Sequence, residues 1–113
     1  MRYDRVVKLE LTNEELKVFI ELFQVDREWF MHTEDLDLMV KSIIHELAVK
    51  FAKKSLDQKR KQSFKLKMYE AVALRSYLLK MIPLMIDLNN GWAGPWELRV
   101  AQNKMFQLDQ ATV

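Results

Sequence analysis

The chain begins with a segment in which apolar and polar residues alternate. Val7, Leu9 and Leu11 share one side of this segment, whereas Lys8 and Glu10 share the other. Alternation with a period of two is typical of a β-strand that has one buried face. The sequence therefore predicts a strand near the start of the chain.

Two amphipathic helices are predicted after this strand. Thr12-Asn13-Glu14-Glu15 has the form of a capping box, which satisfies free amides at a helix start. We expect the first helix to end near Trp29 and a second helix to begin at Thr33. The apolar stripe of the first consists of Leu16, Phe19, Ile20 and Phe23. That of the second consists of Leu36, Met39, Val40, Ile43, Leu47 and Phe51.

The middle of the chain lacks glycine and proline from Lys50 to Lys80, so one continuous helix would fit it. However, Phe64, Leu66 and Met68 alternate with lysines, which again indicates a strand. We therefore predict a loop, a strand and a helix in succession: Asp57 to Gln62, Ser63 to Met68, and Glu70 to Ile82. Because this third helix is apolar nearly all round, we expect burial on more than one side, in a central helix or in a dimer interface.

The two predicted strands introduce similar halves of the chain. Residues 7–11 and 64–68 have the same apolar pattern, and each leads into a helix. Pro95 suits the first turn of a last helix, whose apolar face consists of Leu98, Ala101, Met105 and Leu108. We predict one α+β domain over residues 1–113, mostly helical, with four helices and a two-stranded β-ribbon in β-α-α-β-α-α order. An all-α helical bundle, in which residues 63–68 continue a helix, is the alternative.

The composition is that of a soluble globular protein. Half of the residues are apolar, 30% are charged, and glycine and proline number two each. The chain has no cysteine, which excludes disulfides and thiolate chemistry and fits a cytoplasmic protein. The first residues lack the apolar core of a secretory signal. We expect no membrane span, because charged residues and a proline interrupt the most apolar stretch, residues 71–88.

A net charge of +2 conceals a dipolar chain. Residues 50–67 contain eight bases and one acid, a charge of +7, whereas residues 10–37 contain nine acids and two bases, a charge of −7. The candidate polyanion-binding residues are Lys53, Lys54, Lys59, Arg60, Lys61, Lys65 and Lys67. Since seven of the eight bases are lysine, we expect binding driven by charge rather than by sequence readout.

Local structure offers another explanation for the same bases. Lysines at the end of a helix complement its dipole, and lysines on an exposed strand discourage aggregation. If Lys65 and Lys67 lie on the outward face of the ribbon, we expect Glu10 to lie near one of them, which would stabilise the strand pair. This explanation is preferred, because it accounts for every base without a ligand.

A turn rich in aromatic residues separates the last two predicted helices. Residues 89–96 contain both glycines, Pro95 and two of the three tryptophans. Trp92 and Trp96 are candidate partner-binding residues, because exposed tryptophan is enriched at interface hot spots. The alternative is that both indoles close the end of the helical bundle.

Motifs for catalysis or metal binding are missing from the sequence. It has no glycine-rich phosphate loop and no nucleophile elbow, and His32 and His45 lack the spacing of a zinc site. We therefore expect no enzyme, no cofactor and no metal. The preferred function is a non-enzymatic interaction or regulatory module that binds a protein partner or forms a homo-oligomer. The alternative is a charge-driven nucleic-acid-binding protein that uses residues 50–67.

Overall fold

The computed structural model describes residues 6–25, 38–57, 60–87 and 95–112. Within these ranges the chain forms two strands and four helices: β1 (Val6–Thr12), α1 (Asn13–Val25), α2 (Leu38–Lys54), β2 (Lys61–Lys67), α3 (Met68–Asp87) and α4 (Pro95–Thr112). The order is β-α-α-β-α-α, so the predicted α+β fold is confirmed and the all-helical alternative is wrong. The predicted end of the first helix near Trp29 and the predicted start of the second at Thr33 lie outside the described residues.

The two strands pair antiparallel and form a ribbon with one buried face. Six buried side chains form this inward face: Val7, Leu9, Leu11, Gln62, Phe64 and Leu66. The alternate residues point the other way, because successive side chains of a strand lie on opposite faces. The predicted alternation of both strands is thus confirmed.

Aromatic rings join the ribbon to the first two helices. The ring of Phe51 in α2 lies 4.4 Å from that of Phe64 in β2, between centroids. The same ring lies 5.8 Å from Phe19 and 5.7 Å from Phe23, both in α1. Pairs of aromatic rings at such distances stabilise a core beyond the area that they bury. Phe51 therefore holds α1 and α2 against the inward face of the ribbon.

The structure corrects the predicted boundaries in the middle of the chain. The strand is Lys61–Lys67 rather than 63–68, so Gln62 belongs to the strand and not to the loop. The next helix begins at Met68 and continues past Pro83 to Asp87. It begins this early because the carboxylate of Glu70 accepts a hydrogen bond of 2.9 Å from the Lys67 amide, which caps the first turn.

The apolar stripe of α2 differs from the predicted one at its start. Leu47 and Phe51 are fully buried as predicted, but Met39 is 69% exposed. Ile44, which was not assigned to the stripe, is buried. Val40, Ile44, Leu47 and Phe51 follow one another at spacings of four and three, and Ile43 and Ala48 pack beside them, so the buried side of the helix excludes Met39 and includes Ile44.

The two strands and the starts of the helices that follow them repeat one another. β1 corresponds to β2 and the start of α1 to the start of α3, with an offset of 55 residues. The amide of Thr12 donates to Glu15 Oε1 over 2.9 Å, just as that of Lys67 donates to Glu70. Leu9 is both the ladder partner and the repeat equivalent of Phe64. A pseudo-twofold axis therefore passes through the middle of the ribbon.

Candidate functional site

The outward face of the ribbon carries lysines from both strands. We call this surface the outer ribbon face; it consists of Val6, Lys8, Glu10, Thr12, Lys61, Ser63, Lys65 and Lys67. Four of these residues are lysines and one is an acid, so the face has a net charge of +3. The helices pack on the inward side, so this charge lies on a surface that points away from the core.

Like charges lie opposite each other in the middle of this face. The strand register places Lys8 directly across from Lys65, and such a pair weakens a ribbon. Lys8 Nζ also lies 3.1 Å from Glu10 Oε1. Lys65, in contrast, has no acid within ion-pair distance among the residues that the structure describes. The middle of the face is therefore positive and only partly neutralised.

The single acid of the face is held by two lysines. Lys61 Nζ lies 2.9 Å from Glu10 Oε2, and Lys8 approaches the other carboxylate oxygen. The hydrogen bond from Lys61, together with that from Lys8, lowers the pKa of Glu10. The same contact with Glu10 raises the pKa of Lys61. Both groups are therefore ionised at neutral pH.

This ion pair corrects the predicted position of Glu10. The expected neighbours were Lys65 and Lys67, but Glu10 lies across from Ser63 and contacts Lys61 instead. Lys61 and Lys65 both lie diagonally across from Glu10, and the ion pair forms with Lys61. The strand register decides which outward side chains meet.

An aromatic ring extends the basic surface at one end. The ammonium of Lys67 lies 5.9 Å from the centroid of the Tyr69 ring. Tyr69 follows the strand directly, in the first turn of α3, and is 52% exposed. A cation held over an aromatic face is attracted by the ring electrons. The end of the outer ribbon face thus combines positive charge with an accessible π surface.

The predicted basic segment is divided among three parts of the fold. Lys53 and Lys54 lie in the last turn of α2, whereas Arg60 is exposed just before β2, where its carbonyl accepts the amide of Asn13. Lys50 pairs with Glu70 at 3.5 Å. The members on the outer ribbon face are Lys61, Lys65 and Lys67. The remaining candidate, Lys59, lies outside the described residues.

Sequence reasoning missed one member of the basic surface. Lys8 lies 42 positions before Lys50 in the chain, so a search for a basic segment could not include it. The strand pairing brings it directly opposite Lys65. The period-two alternation of β1 does place Lys8 on the outward side of the strand. Only the strand register, however, shows which residue of β2 lies opposite it.

The predicted tryptophan site is described only in part. Trp96 lies in the first turn of α4 and is 46% exposed, so its ring is accessible to a partner. Trp92 lies outside the described residues. Trp96 therefore stays a candidate partner-binding residue.

The described ranges offer no alternative site of metal or membrane type. No group of three or more histidine, aspartate or glutamate residues within them could hold a metal ion. Likewise, none of the helices described is long and apolar enough to cross a membrane. His45 is exposed on α2, and His32 lies outside these ranges.

Comparisons with known proteins yield no relative: no family model, no curated protein and no solved structure matches this chain. Its function has to be inferred from its own residues.

Proposed function

We propose that this protein binds double-stranded DNA through the outer ribbon face, with the ribbon lying in the major groove. The main support is the concentration of four lysines against one glutamate on the outward side of two short strands. Lysines that neutralise phosphates release the counterions condensed on DNA, which drives association without any base contact. The alternative drawn from the sequence was a nucleic-acid-binding protein that uses residues 50–67. The present proposal uses only the bases of that segment that lie on the outer ribbon face, together with Lys8 of β1.

The shape of the surface suits a groove. The major groove of B-DNA is about 12 Å wide and admits a two-stranded β-ribbon. Two paired strands lie about 4.8 Å apart, and a seven-residue strand is roughly 24 Å long. Lys61 and Lys67 lie near opposite ends of this length. They are therefore spaced to reach phosphates at both ends, while the middle of the ribbon faces the bases.

The chemistry of the face predicts weak sequence preference. Repeat-equivalent outward positions carry different residues: Lys8 corresponds to Ser63, and Glu10 corresponds to Lys65. A protein with true twofold symmetry reads a palindromic site. Since the two halves of this ribbon differ, we expect no preference for palindromes, and affinity set mainly by phosphate contacts.

The unfavourable Lys8–Lys65 pair also supports a role in binding. Exposed lysines are an ordinary defence against strand aggregation, and scattered lysines would need no further explanation. Two lysines directly opposite each other weaken the ribbon, whereas an acid at either position would strengthen it. A polyanion placed between them would convert this repulsion into attraction.

Salt dependence of DNA binding tests the proposal. We would measure the affinity for a random-sequence duplex by fluorescence anisotropy at several salt concentrations. Four lysines predict a slope of log K against log salt between roughly −3 and −4. Lys65→Ala should reduce this slope by about one, and Glu10→Gln should raise the affinity because it removes the only acid of the face.

Two controls identify the surface and the groove. Lys17 is exposed on α1 and does not belong to the outer ribbon face, so Lys17→Ala should leave the slope unchanged. An RNA duplex of the same sequence should bind more weakly, because its major groove is too deep and narrow to be entered. Equal effects of Lys17→Ala and Lys65→Ala would exclude the outer ribbon face, and equal affinity for the RNA duplex would exclude the groove.

The interaction module preferred from the sequence is a second proposal. Three apolar side chains exposed along α3, those of Tyr69, Val72 and Leu79, support it, since such surfaces on soluble domains commonly mark binding sites. A regulatory protein that binds DNA and associates with itself would satisfy both proposals. The expected lack of enzymatic activity and the expected cytoplasmic location stay predictions.

A further inference from the structure

Two lysines project together from the middle of the outer ribbon face. Lys8 and Lys65 lie directly opposite each other in the strand register. The amide of Asn13 donates a hydrogen bond of 3.1 Å to the carbonyl oxygen of Arg60, at the next pair beyond the end of the ladder. Because hydrogen-bonded and non-hydrogen-bonded pairs alternate along an antiparallel ladder, the two lysines form a non-hydrogen-bonded pair, with Cα atoms about 4.5 Å apart. Their ammonium groups therefore act on the same part of a ligand.

An ammonium group only donates hydrogen bonds, and this limits which base it suits. Lysine has three N–H donors and no acceptor. In the major groove guanine places two acceptors, N7 and O6, side by side, so that one ammonium donates to both. In an A·T pair the amino group of adenine, itself a donor, separates the two acceptors, N7 of adenine and O4 of thymine. Guanine is therefore the base that a lysine facing the floor of the groove prefers.

We infer that Lys8 and Lys65 read two neighbouring G·C base pairs, each lysine donating to N7 and O6 of one guanine. This inference rests on the proposed binding of the ribbon in the major groove and names the sequence that the ribbon prefers there. Neighbouring base pairs are about 3.4 Å apart, slightly less than the two Cα atoms. The flexible stem of lysine, with its three rotatable donors, accommodates this difference.

Both lysines are available for such contacts. Among the side chains in the described ranges, no acid lies within ion-pair distance of Lys65. Lys8 Nζ lies 3.1 Å from Glu10 Oε1, but this contact is exposed to solvent and contributes little. When Lys8 turns to a base, Glu10 keeps its contact of 2.9 Å with Lys61. Neither central lysine therefore gives up a strong interaction.

The expected preference is modest. A good bidentate contact discriminates between bases by a factor of roughly 5 to 150. Exposed lysines with long, flexible stems belong at the lower end of this range, so we expect about tenfold tighter binding to two central G·C pairs than to two A·T pairs. Proteins that recognise a specific site reach about 10³–10⁷-fold. Phosphate contacts therefore still set most of the affinity of this ribbon.

Duplexes with altered guanines test the readout. Three short duplexes would share A·T flanks and differ at two central base pairs, which are G·C, A·T, or G·C with 7-deazaguanine. The last keeps the pairing and the phosphates but has a carbon atom in place of N7. By fluorescence anisotropy at one low salt concentration, we expect the G·C duplex to bind tightest and the 7-deazaguanine duplex to lose most of this advantage. Equal affinities for the three would overturn the readout and leave DNA binding standing, whereas no binding to any duplex would overturn both.

Two variants of β2 test which lysine carries the preference. Lys65→Ala and Lys67→Ala each remove one ammonium from the outward side of the same strand. Both should weaken binding to every duplex, but only Lys65→Ala should also reduce the preference for G·C. Because Lys65 lies opposite another lysine, its replacement removes a repulsion and leaves the core intact. Equal loss of the preference in both variants would refute the central pair as the reader.

A third variant tests the hydrogen-bond chemistry of the readout. Glutamine both donates and accepts, and it pairs with N6 and N7 of adenine. Lys65→Gln should therefore bind the A·T duplex at least as tightly as the G·C duplex. A Lys65→Gln variant that kept the full preference for G·C would show that Lys65 does not contact a base.

Discussion

The ammonium of Lys104 in α4 donates a hydrogen bond of 3.0 Å to the carbonyl oxygen of Glu10 in β1. Its nitrogen also lies 3.5 Å from Glu15 Oε2, while Glu15 Oε1 caps α1 through the amide of Thr12. Lys104 is buried, on the side of α4 that also buries Ala101 and Leu108. A charged residue therefore links the last helix to the first strand from within the core.

Replacing this lysine should destabilise the protein even when its size is kept. Lys104→Met retains the aliphatic packing but removes the hydrogen bond to Glu10 and the ionic contact with Glu15. Hydrogen bonds that involve a charged group contribute about 1.5–3 kcal/mol, so we expect the free energy of unfolding in urea to fall by about that amount. Lys17→Met, at an exposed site of α1, should change it by less than about 0.5 kcal/mol. A loss no larger than that of Lys17→Met would show that the buried contact is not stabilising.

Gln62 provides a position at which stability should increase. It lies on the inward face of the ribbon, opposite Leu11, and is 2% exposed. Its amide nitrogen is buried without a hydrogen-bond partner in the structure, and such a group costs about 1–3 kcal/mol. Gln62→Leu removes this cost and adds an apolar contact, so we expect a rise of about 1 kcal/mol in the free energy of unfolding. An unchanged or lower value in urea titration would mean that the amide is satisfied in solution.

Glu70 should stabilise the start of α3 in two separable ways. It accepts the Lys67 amide at 2.9 Å and the Lys50 ammonium at 3.5 Å. Glu70→Ala removes both contacts and should cost about 1–2 kcal/mol. Glu70→Gln keeps an acceptor for the amide and loses the ion pair, which is worth little because Lys50 is half exposed. Thermal unfolding should therefore place Glu70→Gln near the wild type; equal losses for both variants would assign the effect to the ion pair.

The ion pair of the outer ribbon face predicts a dependence of stability on pH. The hydrogen bond from Lys61 lowers the pKa of Glu10 in the folded protein. The stabilisation by ionised Glu10 is therefore fully present above the pKa of the unfolded chain, about 4.3. It is lost as the pH falls through the lower pKa of the folded protein. The pKa of Lys61 is raised by its contact with Glu10. The stabilisation by the Lys61 ammonium is therefore lost only as the pH rises through this raised pKa. We expect Glu10→Gln to melt slightly below the wild type at pH 7.

The pH profile of this variant gives the clearest check. The difference in melting temperature between Glu10→Gln and the wild type should disappear in acid, once Glu10 of the wild type is protonated. Glu21→Gln, at an exposed position in the interior of α1, should melt with the wild type throughout. A difference that persisted at the lowest pH would have to come from something other than the charge of Glu10.

Much of the fold followed from local patterns in the chain. The alternation around Leu9 identified a strand, and the reciprocal bonds between Thr12 and Glu15 confirm the predicted capping box. The repeated strand–helix–helix order was predicted for the same reason: a buried strand repeats every two residues and a helix roughly every 3.6. These periods are properties of the backbone, so the sequence alone determined the type and order of the elements.

The strand register needed the tertiary structure. A period-two pattern looks the same after a shift of two residues, so it identifies the two strands without fixing which residues face each other. The structure pairs Leu9 with Phe64, Lys8 with Lys65 and Glu10 with Ser63. The candidate site on the ribbon therefore arises from packing between distant segments, which fixes the register through buried side chains.

The surfaces of the helices were also decided by their neighbours. By pattern alone, α3 is apolar nearly all round, and nothing in it distinguishes the buried Leu78 from the exposed Leu79. Lys104 is likewise a polar residue that the sequence would place outside. The sequence determined which segments are strands and helices, because those periods are local. Which side each helix buries, and which lysines meet on the ribbon, depended on how the two halves pack together.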